Sequence, residues 1–171
     1  MSSLICSTVK VDQIRSRTDI PAINIDSVGR LLSPNKPVFY GWRDTGSEAW
    51  ENFGTTPVTY TYNIAVTNIG GCYNTSTGIF TCPVSGIYAV CPGVLSGQAG
   101  SYSTQYVYVN GVNKTARGCH TNLVGNNHWT YNSQTFLVSC NANDLLEVRI
   151  AMGAATTYGR EHCHGCIWLH S

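Results

Sequence analysis

Potentially reactive side chains lie closest together in the sequence in the C-terminal segment. Cys163 and Cys166 have Cys-x-x-Cys spacing, and His162 and His164 stand on either side of the first cysteine. Thiol redox chemistry needs that cysteine at a helix N-terminus, where the thiol pKa is lowered, and a structural zinc site needs a second ligand pair. The segment is predicted to be a terminal strand without a second ligand pair, which disfavours both thiol redox chemistry and a structural zinc site. A Cys163–Cys166 disulfide is an alternative.

Motifs for catalysis are incomplete elsewhere in the sequence. The Gly93–Gly97 segment has its serine one place too late for a nucleophile elbow, and Glu48 and Glu51 are typical of a solvated loop rather than a paired acid site. Gly111–Thr115 ends like a phosphate-binding loop but lacks the required glycine spacing. The sequence therefore predicts a protein that is not an enzyme.

Two kinds of segment could hold a ligand. The tyrosines of residues 102–108 could present their rings to a sugar, although alternate tyrosines on a strand more often pack in a core or a subunit interface. Three loops, at 96–102, 123–129 and 154–158, are the better prediction because loops carry adaptable recognition surfaces. Their candidate ligand contacts are Tyr102, His128, Trp129 and Tyr158.

Composition restricts the class of partner. Charged residues make up only 11% of the 171 residues, and the formal net charge is +1. A nucleic-acid surface needs clustered lysine and arginine, and coiled coils or disordered acidic tails need many charges. No apolar run approaches the roughly 18 residues that cross a bilayer. We expect a globular domain with no nucleic-acid partner and no membrane insertion.

Eight cysteines would indicate disulfides in a secreted chain. The N-terminal residues lack the positive charge and apolar block of a secretory signal, which predicts synthesis in a reducing cytosol. Most cysteines are then expected to be buried thiols that act as small hydrophobic side chains on strands. The sequons at Asn74–Ser76 and Asn113–Thr115 become turn residues rather than glycan sites.

Apolar residues alternate with a period of two, which is typical of strands. Val58, Tyr60, Tyr62, Ile64 and Val66 alternate with other residues, and this predicts one half-buried strand. An Asn-Gly turn at 110–111 predicts a hairpin, and a turn at 141–144 predicts that the chain returns as a further strand. No ten-residue segment has a capped helical stripe. The chain is therefore predicted to be all-β, a sandwich or jelly roll.

Residues 1–36 are predicted to be a separate arm that ends at a proline-rich connector. Two short extended patterns surround Thr18-Asp19 in this arm, and their apolar members are Val9, Val11, Ile14, Ile20, Ile23 and Ile25. About 30 residues cannot bury such side chains alone. They must lie on the arm's own domain, a neighbouring subunit or another protein, and we favour the last two, which makes residues 1–36 an extended docking arm.

Two adjacent segments carry a family signature. Asn68-Ile-Gly-Gly-Cys-Tyr73 and Thr77-Gly-Ile-Phe-Thr-Cys-Pro-Val-Ser-Gly-Ile-Tyr88 resemble the pattern of the C1q-like globular domain, which belongs to the C1q and tumour-necrosis-factor superfamily. Pro37–Trp42 is similar to the first strand of that family, Val107–Gly111 to its Asn-Gly hairpin, and Gly165–Leu169 to its closing strand. The resemblance covers residues 37 to 170, so the globular domain is expected at 37–171.

The resemblance implies a ten-stranded jelly-roll β-sandwich that assembles as a homotrimer. A chain with 11% aromatic and only 11% charged residues agrees with this, because a threefold interface buries apolar surface that one sandwich leaves exposed. The residues expected in fold and trimer packing are Phe39, Trp42, Tyr60, Tyr62, Gly70, Tyr73, Phe80, Gly86, Tyr88, Tyr106, Tyr108, Phe136 and Trp168.

The trimer would also allow a metal site. His162 and His164 are expected on one side of a strand, and three copies around an axis would offer six imidazole nitrogens to one transition metal. The alternative is that these histidines are ordinary polar residues away from the axis.

The arm resembles a different group of proteins. Ser7–Arg15 and Ala22–Leu31 look like leader segments of tailed-phage virion proteins, which attach a globular knob to a fibre, tail or capsid. This implies a virion structural protein: a trimeric knob of a tail fibre or spike that docks on other virion proteins through residues 1–36 and binds a host-surface glycan or outer-membrane component. The alternatives are a capsid decoration protein and a secreted C1q-type adhesion or defence module.

Overall fold

The computed structural model describes residues 11–15, 17–19, 21–33, 35–46, 50–97, 101–123, 129–159 and 162–171. The chain divides into two compact units, Met1–Lys36 and Pro37–Ser171. No helix in the described part of the chain is long and apolar enough to cross a bilayer. The strands are β1 (Gln13–Arg15), β2 (Pro21–Ile25), β3 (Leu31–Leu32), β4 (Val38–Trp42), β5 (Trp50–Glu51), β6 (Val58–Thr59), β7 (Ile64–Ile69), β8 (Tyr73–Asn74), β9 (Ile79–Thr81), β10 (Gly86–Gly97), β11 (Ser101–Val109), β12 (Val112–Asn113), β13 (Cys119–Leu123), β14 (Thr130–Ser133), β15 (Phe136–Cys140), β16 (Leu145–Met152), β17 (Thr156–Tyr158) and β18 (His164–Leu169).

The first unit is a small antiparallel sheet, β1-β2-β3. Asp26 fixes the turn before β3, because its carboxylate accepts hydrogen bonds from the backbone N–H groups of Val28 and Arg30. Val11 and Ile14 are exposed, and Ile23 and Ile25 are only half-buried. The arm residues Val9 and Ile20 lie outside the described residues. Among the side chains of this unit whose burial the structure describes, apolar ones are present but none is fully buried.

The second unit is a sandwich of two antiparallel sheets. One has the order β5-β17-β10-β18-β4-β7, with β14 and β15 also paired to β10. The other has the order β12-β11-β16-β9-β8, with β13 on β11 and β6 on β16. The expected all-β sandwich is confirmed. Its strands outnumber the ten that the family resemblance implies because segments of two or three residues, such as β5 and β12, count separately.

Aromatic side chains fill the space between the two sheets. Phe39 stacks on Tyr73 with ring centroids 3.7 Å apart, and the backbone N–H of Tyr62 donates a hydrogen bond of 2.9 Å to the Tyr73 hydroxyl. Burial raises the pKa of Tyr73 to about 12. Phe80 and Tyr88 meet edge to face in the same core. These five residues therefore occupy core positions, as fold-packing residues should.

Turns lie where the sequence pattern predicts them. Asn110 and Gly111 have φ angles of 51° and 75° between β11 and β12, which is the left-handed pair that a tight hairpin needs. Asn143 has φ 70° in the turn between β15 and β16, and Gly70 has φ 84° in the turn after β7. Asn and Gly occupy these positions because other residues strain in this conformation.

The single strand predicted over residues 58–66 is wrong. β6 ends at Thr59 and pairs with β16 in one sheet, whereas β7 begins at Ile64 and pairs with β4 in the other. The intervening residues cross between the sheets, so Tyr60 and Tyr62 are fully buried while Val66 is exposed. A period of two cannot reveal such a crossing, because the alternation continues through it.

The cysteines are distributed between the core and the sheet surfaces. The seven described cysteines are free thiols; Cys72, Cys82, Cys140 and Cys163 are buried, and the remaining three are half-buried. Burial raises the pKa of the Cys163 thiol, and its Sγ donates to the carbonyl of Tyr158 at 3.2 Å. Cys6 lies outside the described residues.

Candidate functional site

Six strands of the eight-stranded sheet form an outer face without charge. Its strands β4, β7, β10, β14, β15 and β18 contain no Asp, Glu, Lys or Arg. Burial alternates along β4 and β18, with Phe39 and Ile167 turned into the core and their neighbours turned outward. The outward side chains form what we call the uncharged sheet face: Val38, Tyr40, Trp42, Ile87, Cys91, Tyr131, Leu137, His164, Cys166 and Trp168.

Several side chains of the uncharged sheet face are well exposed for their size. Leu137 is 60% exposed and Tyr131 is 50% exposed. The few polar groups are paired locally, since the Tyr40 hydroxyl lies 3.1 Å from His164 Nδ1 and the Cys91 thiol lies 3.3 Å from the Ser133 hydroxyl. An apolar face of this kind is typical of a surface that a protein partner covers.

A second candidate surface is a groove on the outer face of the seven-stranded sheet. It has a volume of about 400 Å³ and lies over β11 and β13. We call it the tyrosine groove. Its lining side chains are Tyr102, Thr104, Tyr106, Arg117, His120 and Asn122. They include two phenol rings, one guanidinium and no carboxylate.

Strand register positions the polar residues of the groove. Thr104 is opposite His120, and Tyr102 is opposite Asn122. The His120 ring stacks on Tyr102 with centroids 5.6 Å apart, and its Nδ1 lies 2.6 Å from the Thr104 hydroxyl. Since the Oδ1 of Asn122 can only accept, His120 Nε2 donates to it at 3.2 Å and Nδ1 accepts from Thr104. This arrangement leaves the Nδ2 amide of Asn122 as a donor for a ligand.

A tightly bonded loop holds Arg117 at the groove. Val107 N–H donates to the Thr115 hydroxyl, and Gly118 N–H donates to the Thr115 carbonyl. Asn113 closes the loop, because it accepts from Thr115 N–H and donates to the Ala116 carbonyl. Gly118 has φ 54°, and a Cβ there would lie 1.7 Å from the Gln105 carbonyl oxygen. The loop therefore needs glycine at this position to lie close to β11.

The other arginine of this sheet face is already paired. Arg149 lies over the Tyr108 ring at 4.2 Å and donates to Glu147 at 2.5 Å. Glu147 also accepts from the Thr59 hydroxyl. The Arg149 charge is therefore neutralised locally, whereas the groove lining places no carboxylate beside Arg117.

A third surface is an aromatic cluster formed by Trp50, Trp129, Tyr158 and His162. Trp50 meets Trp129 edge to face at 5.0 Å and lies 4.7 Å from the Tyr158 ring. Trp129 lies 5.1 Å from Tyr158, whose other neighbour is His162 at 5.0 Å. Trp129 is 56% exposed. The cluster thus offers large exposed rings to a partner.

The structure separates the ligand residues that the sequence grouped in loops. Trp129 and Tyr158 do come together, but Tyr102 lies in the tyrosine groove, and His128 lies outside the described residues. Tyr106 also lines the groove, and Tyr108 stands beside it on the same strand face. Phe136 and Gly86 lie on paired strands of the eight-stranded sheet, and Trp42 and Trp168 belong to its uncharged face.

The sequence pattern did not single out Trp50, Arg117, His120 or Asn122. The period of two from His120 to Asn122 was the available signal, because it places both side chains on one face of a strand. Nothing local signalled Arg117, which reaches the groove through a turn, or Trp50, which meets its partners from a distant strand.

His162 and His164 do not share the strand geometry expected for them. β18 begins at His164, so His162 precedes the strand. The His164 ring stacks on Tyr40, whereas the His162 ring contacts Tyr158. Within the described part of a single chain, no three His, Cys, Asp or Glu side chains form a group that could hold a metal.

The fold is similar to that of several solved structures. The globular domain of zebrafish complement 1qA matches with a TM-score of 0.54 and 15% identity, over 80% of this chain and 98% of that chain. The Eiger TNF of S. frugiperda matches with a TM-score of 0.58 and 12% identity, over 80% of this chain and 94% of that chain. Murine APRIL matches with a TM-score of 0.55 and 17% identity, over 78% of this chain and 98% of that chain. At these identities the similarity concerns the fold.

Sequence comparison gives the family itself. None of the curated proteins is similar enough in sequence to be matched, but the model of the C1q domain matches residues 46–164, which is more than half of the chain. The match and the sandwich topology agree. The chain belongs to the C1q domain family, whose members are structural or signalling modules and not enzymes.

Proposed function

We propose that this protein is a structural protein of a tailed-phage particle, the trimeric knob of a tail fibre or spike that binds the host cell surface. The observation that carries the trimer is the uncharged sheet face, in which six strands contain no charged residue. The particle role is supported by the resemblance of the arm to phage leader segments. Localisation on the virion is part of the same proposal.

A second and third copy of this chain are the best occupants of the uncharged sheet face. Large apolar side chains such as Leu137 and Tyr131 gain by leaving water, at about 25 cal/mol per Å² of buried apolar area. With no charged residue to desolvate, that gain is not offset by ion burial. A closed threefold ring uses one heterologous contact three times and leaves no copy of it exposed.

The arm supplies the attachment to other virion proteins. Val11 and Ile14 are exposed in the first unit, and none of the residues of that unit whose burial the structure describes is buried. A sheet with uncovered apolar side chains is stabilised when a partner covers it. We therefore assign residues 1–36 to docking, and the tyrosine groove and aromatic cluster to the host surface.

Three identical knob surfaces on one rigid body would bind by avidity. Each site can be weak, because the second and third contacts form at the high effective concentration set by the trimer. A host glycan, which repeats along a chain, suits this mode; an outer-membrane component is the other partner that the proposal includes.

Substitutions in the arm test the proposal in the assembled particle. Val11→Asp with Ile14→Asp puts charge on the docking sheet and is expected to abolish incorporation, giving particles with intact heads that fail to adsorb to cells. Val112→Asp, an exposed position in the other unit, is the matched control and should incorporate normally. Normal incorporation and adsorption of the arm variant would contradict the proposed role.

The alternatives give different results in the same experiment. A capsid decoration protein would leave adsorption intact and weaken the heads. A secreted C1q-type module would carry glycans at Asn74 or Asn113 and disulfides among its cysteines. Intact mass spectrometry without reductant separates this last possibility from a particle protein.

An axial metal held by His162 and His164 of three copies remains a prediction. Native mass spectrometry of the trimer is expected to find one transition metal per three chains, and His162→Ala with His164→Ala should remove it. A metal-free trimer after saturation with the metal would contradict the site.

A further inference from the structure

We propose that the tyrosine groove is a binding site for an acidic sugar, a pyranose that carries a carboxylate. This inference rests on the proposed host-attachment function and names the class of ligand for one of its surfaces. The groove combines the three components that such a ligand needs: rings for the apolar sugar face, a guanidinium for the carboxylate and neutral polar groups for the hydroxyls.

The charge in the groove is the first argument. Arg117 is the single charged side chain of the lining, and no carboxylate accompanies it. No hydrogen bond or ion pair of Arg117 occurs among the residues that the structure describes. A guanidinium can hold a carboxylate by two parallel hydrogen bonds, which a neutral sugar cannot supply. The site therefore favours an anionic over a neutral ligand.

The rings are the second argument. Tyr102 and Tyr106 alternate with Thr104 on one strand, so both rings stand on the same face of the sheet. The stack of His120 on Tyr102 and the edge-to-face contact of Tyr106 with Tyr108 fix the orientation of these rings. Rings of this type pack against the C–H face of a pyranose while their hydroxyls remain available to the sugar.

Preorganisation is the third argument. The Arg117 loop is closed by hydrogen bonds of Asn113 and Thr115, and His120 is held between Thr104 and Asn122. Little conformational entropy is then lost when a ligand binds, and this favours useful affinity at a small site. The volume of about 400 Å³ is in the range of small-ligand sites and accommodates one or two sugar rings.

Matched probes test the choice of ligand on the full chain. Calorimetric titration compares trigalacturonate with its methyl ester, which has the same sugar rings without the charge. We expect the native chain to bind the acid at least about tenfold more tightly, since the ester cannot form the charge-assisted pair with Arg117. Equal affinity for acid and ester, or binding of neither, would overturn the proposal.

Variants test the residues. Arg117→Gln is expected to reduce the affinity for the acid to that for the ester, whereas Lys114→Gln, an exposed cation of the same loop outside the groove lining, should leave it unchanged. Tyr106→Leu should weaken acid and ester alike. Equal losses in the Arg117 and Lys114 variants would indicate non-specific attraction and refute the site; unchanged melting temperatures exclude unfolding as the cause.

Particle adsorption separates this inference from the proposed function. If particles with Arg117→Gln adsorb like native ones, host attachment stands and the acidic-sugar site is refuted as its receptor contact. If the purified chain binds trigalacturonate through Arg117 while particles lacking the protein adsorb normally, the acidic-sugar site is supported and the proposed role in host attachment is refuted.

Discussion

Asn110 joins the β11–β12 hairpin turn to the turn between β15 and β16 by donating a hydrogen bond of 2.8 Å from its Nδ2 to the Oδ1 of Asp144. Its own Oδ1 accepts from the backbone N–H of Leu145, so the link is reciprocal. Asp144 also accepts from the backbone N–H of Asn141. The β11–β12 and β15–β16 turns are thereby fastened to each other at one end of the seven-stranded sheet.

The Asp144 carboxylate should make stability depend on acid pH. The bond from Asn141, and then that from Asn110, lower the pKa of Asp144 below its ordinary value of 3.8. The folded state therefore favours the ionised form, whose stabilisation is complete above the unfolded-state pKa and is lost as pH falls through the folded pKa. Asp144→Asn is expected to weaken the pH dependence of the free energy of unfolding, measured by urea titration, below about pH 4. The matched control is Asp12→Asn in the arm, and a profile identical to native for Asp144→Asn would contradict the prediction.

Removal of the Tyr73 hydroxyl should destabilise the sandwich. It is the acceptor for the buried backbone N–H of Tyr62, and Tyr73→Phe leaves that donor unpaired. The expected loss is about 1–3 kcal/mol in the free energy of unfolding. Tyr106→Phe, which removes a hydroxyl from a half-buried groove position, should change the free energy of unfolding by less than about 0.5 kcal/mol. Equal effects of the two substitutions in denaturant titrations would argue against a structural role for this bond.

Two glycines with positive φ should respond differently to alanine. Gly111→Ala meets no atom within 4 Å and adds only backbone strain, about 1–2 kcal/mol. Gly118→Ala also drives its Cβ into the Gln105 carbonyl oxygen, so we expect a loss of about 3 kcal/mol or more and displacement of the Arg117 loop. Thermal unfolding measures the loss of stability in both variants. The amide chemical shifts of residues 113–118 in NMR spectra report the displacement of the Arg117 loop. Similar losses for both variants would show that the close approach is not rigid.

One charge on the uncharged sheet face should dissociate the trimer. Leu137→Glu would bury three unpaired carboxylates, each at a cost of several kcal/mol. Sedimentation at micromolar concentration is expected to find a trimer for the native chain and a monomer for this variant. Val112→Glu, 57% exposed on the opposite sheet, should remain trimeric. A native monomer, or a trimeric Leu137→Glu variant, would remove the basis for the proposed assembly.

The buried thiols should be protected and unpaired. Burial raises the pKa of Cys163, Cys82 and Cys140, and the thiolate is the form that reacts with iodoacetamide. In the native protein we expect alkylation of these positions to be slower than in the unfolded chain by at least about tenfold. Unfolding without reductant should then label all eight cysteines, as in a reduced sample. A smaller number of labels without reductant would reveal disulfides and favour the secreted module.

The sequence by itself determined the strand class, the turns and the family. Asn110-Gly111 and Asn143 specify local backbone angles that few other residues adopt, and the 68–88 signature gives the C1q domain directly. Tertiary structure decided what alternation cannot encode. Tyr60 and Tyr62 belong to the core because the chain crosses between sheets there, and Trp50 meets Trp129 across a long stretch of sequence. The tyrosine groove likewise exists only because β13 pairs with β11 and brings His120 and Arg117 beside the tyrosines, and such pairing depends on the packing of the whole sandwich rather than on local preference.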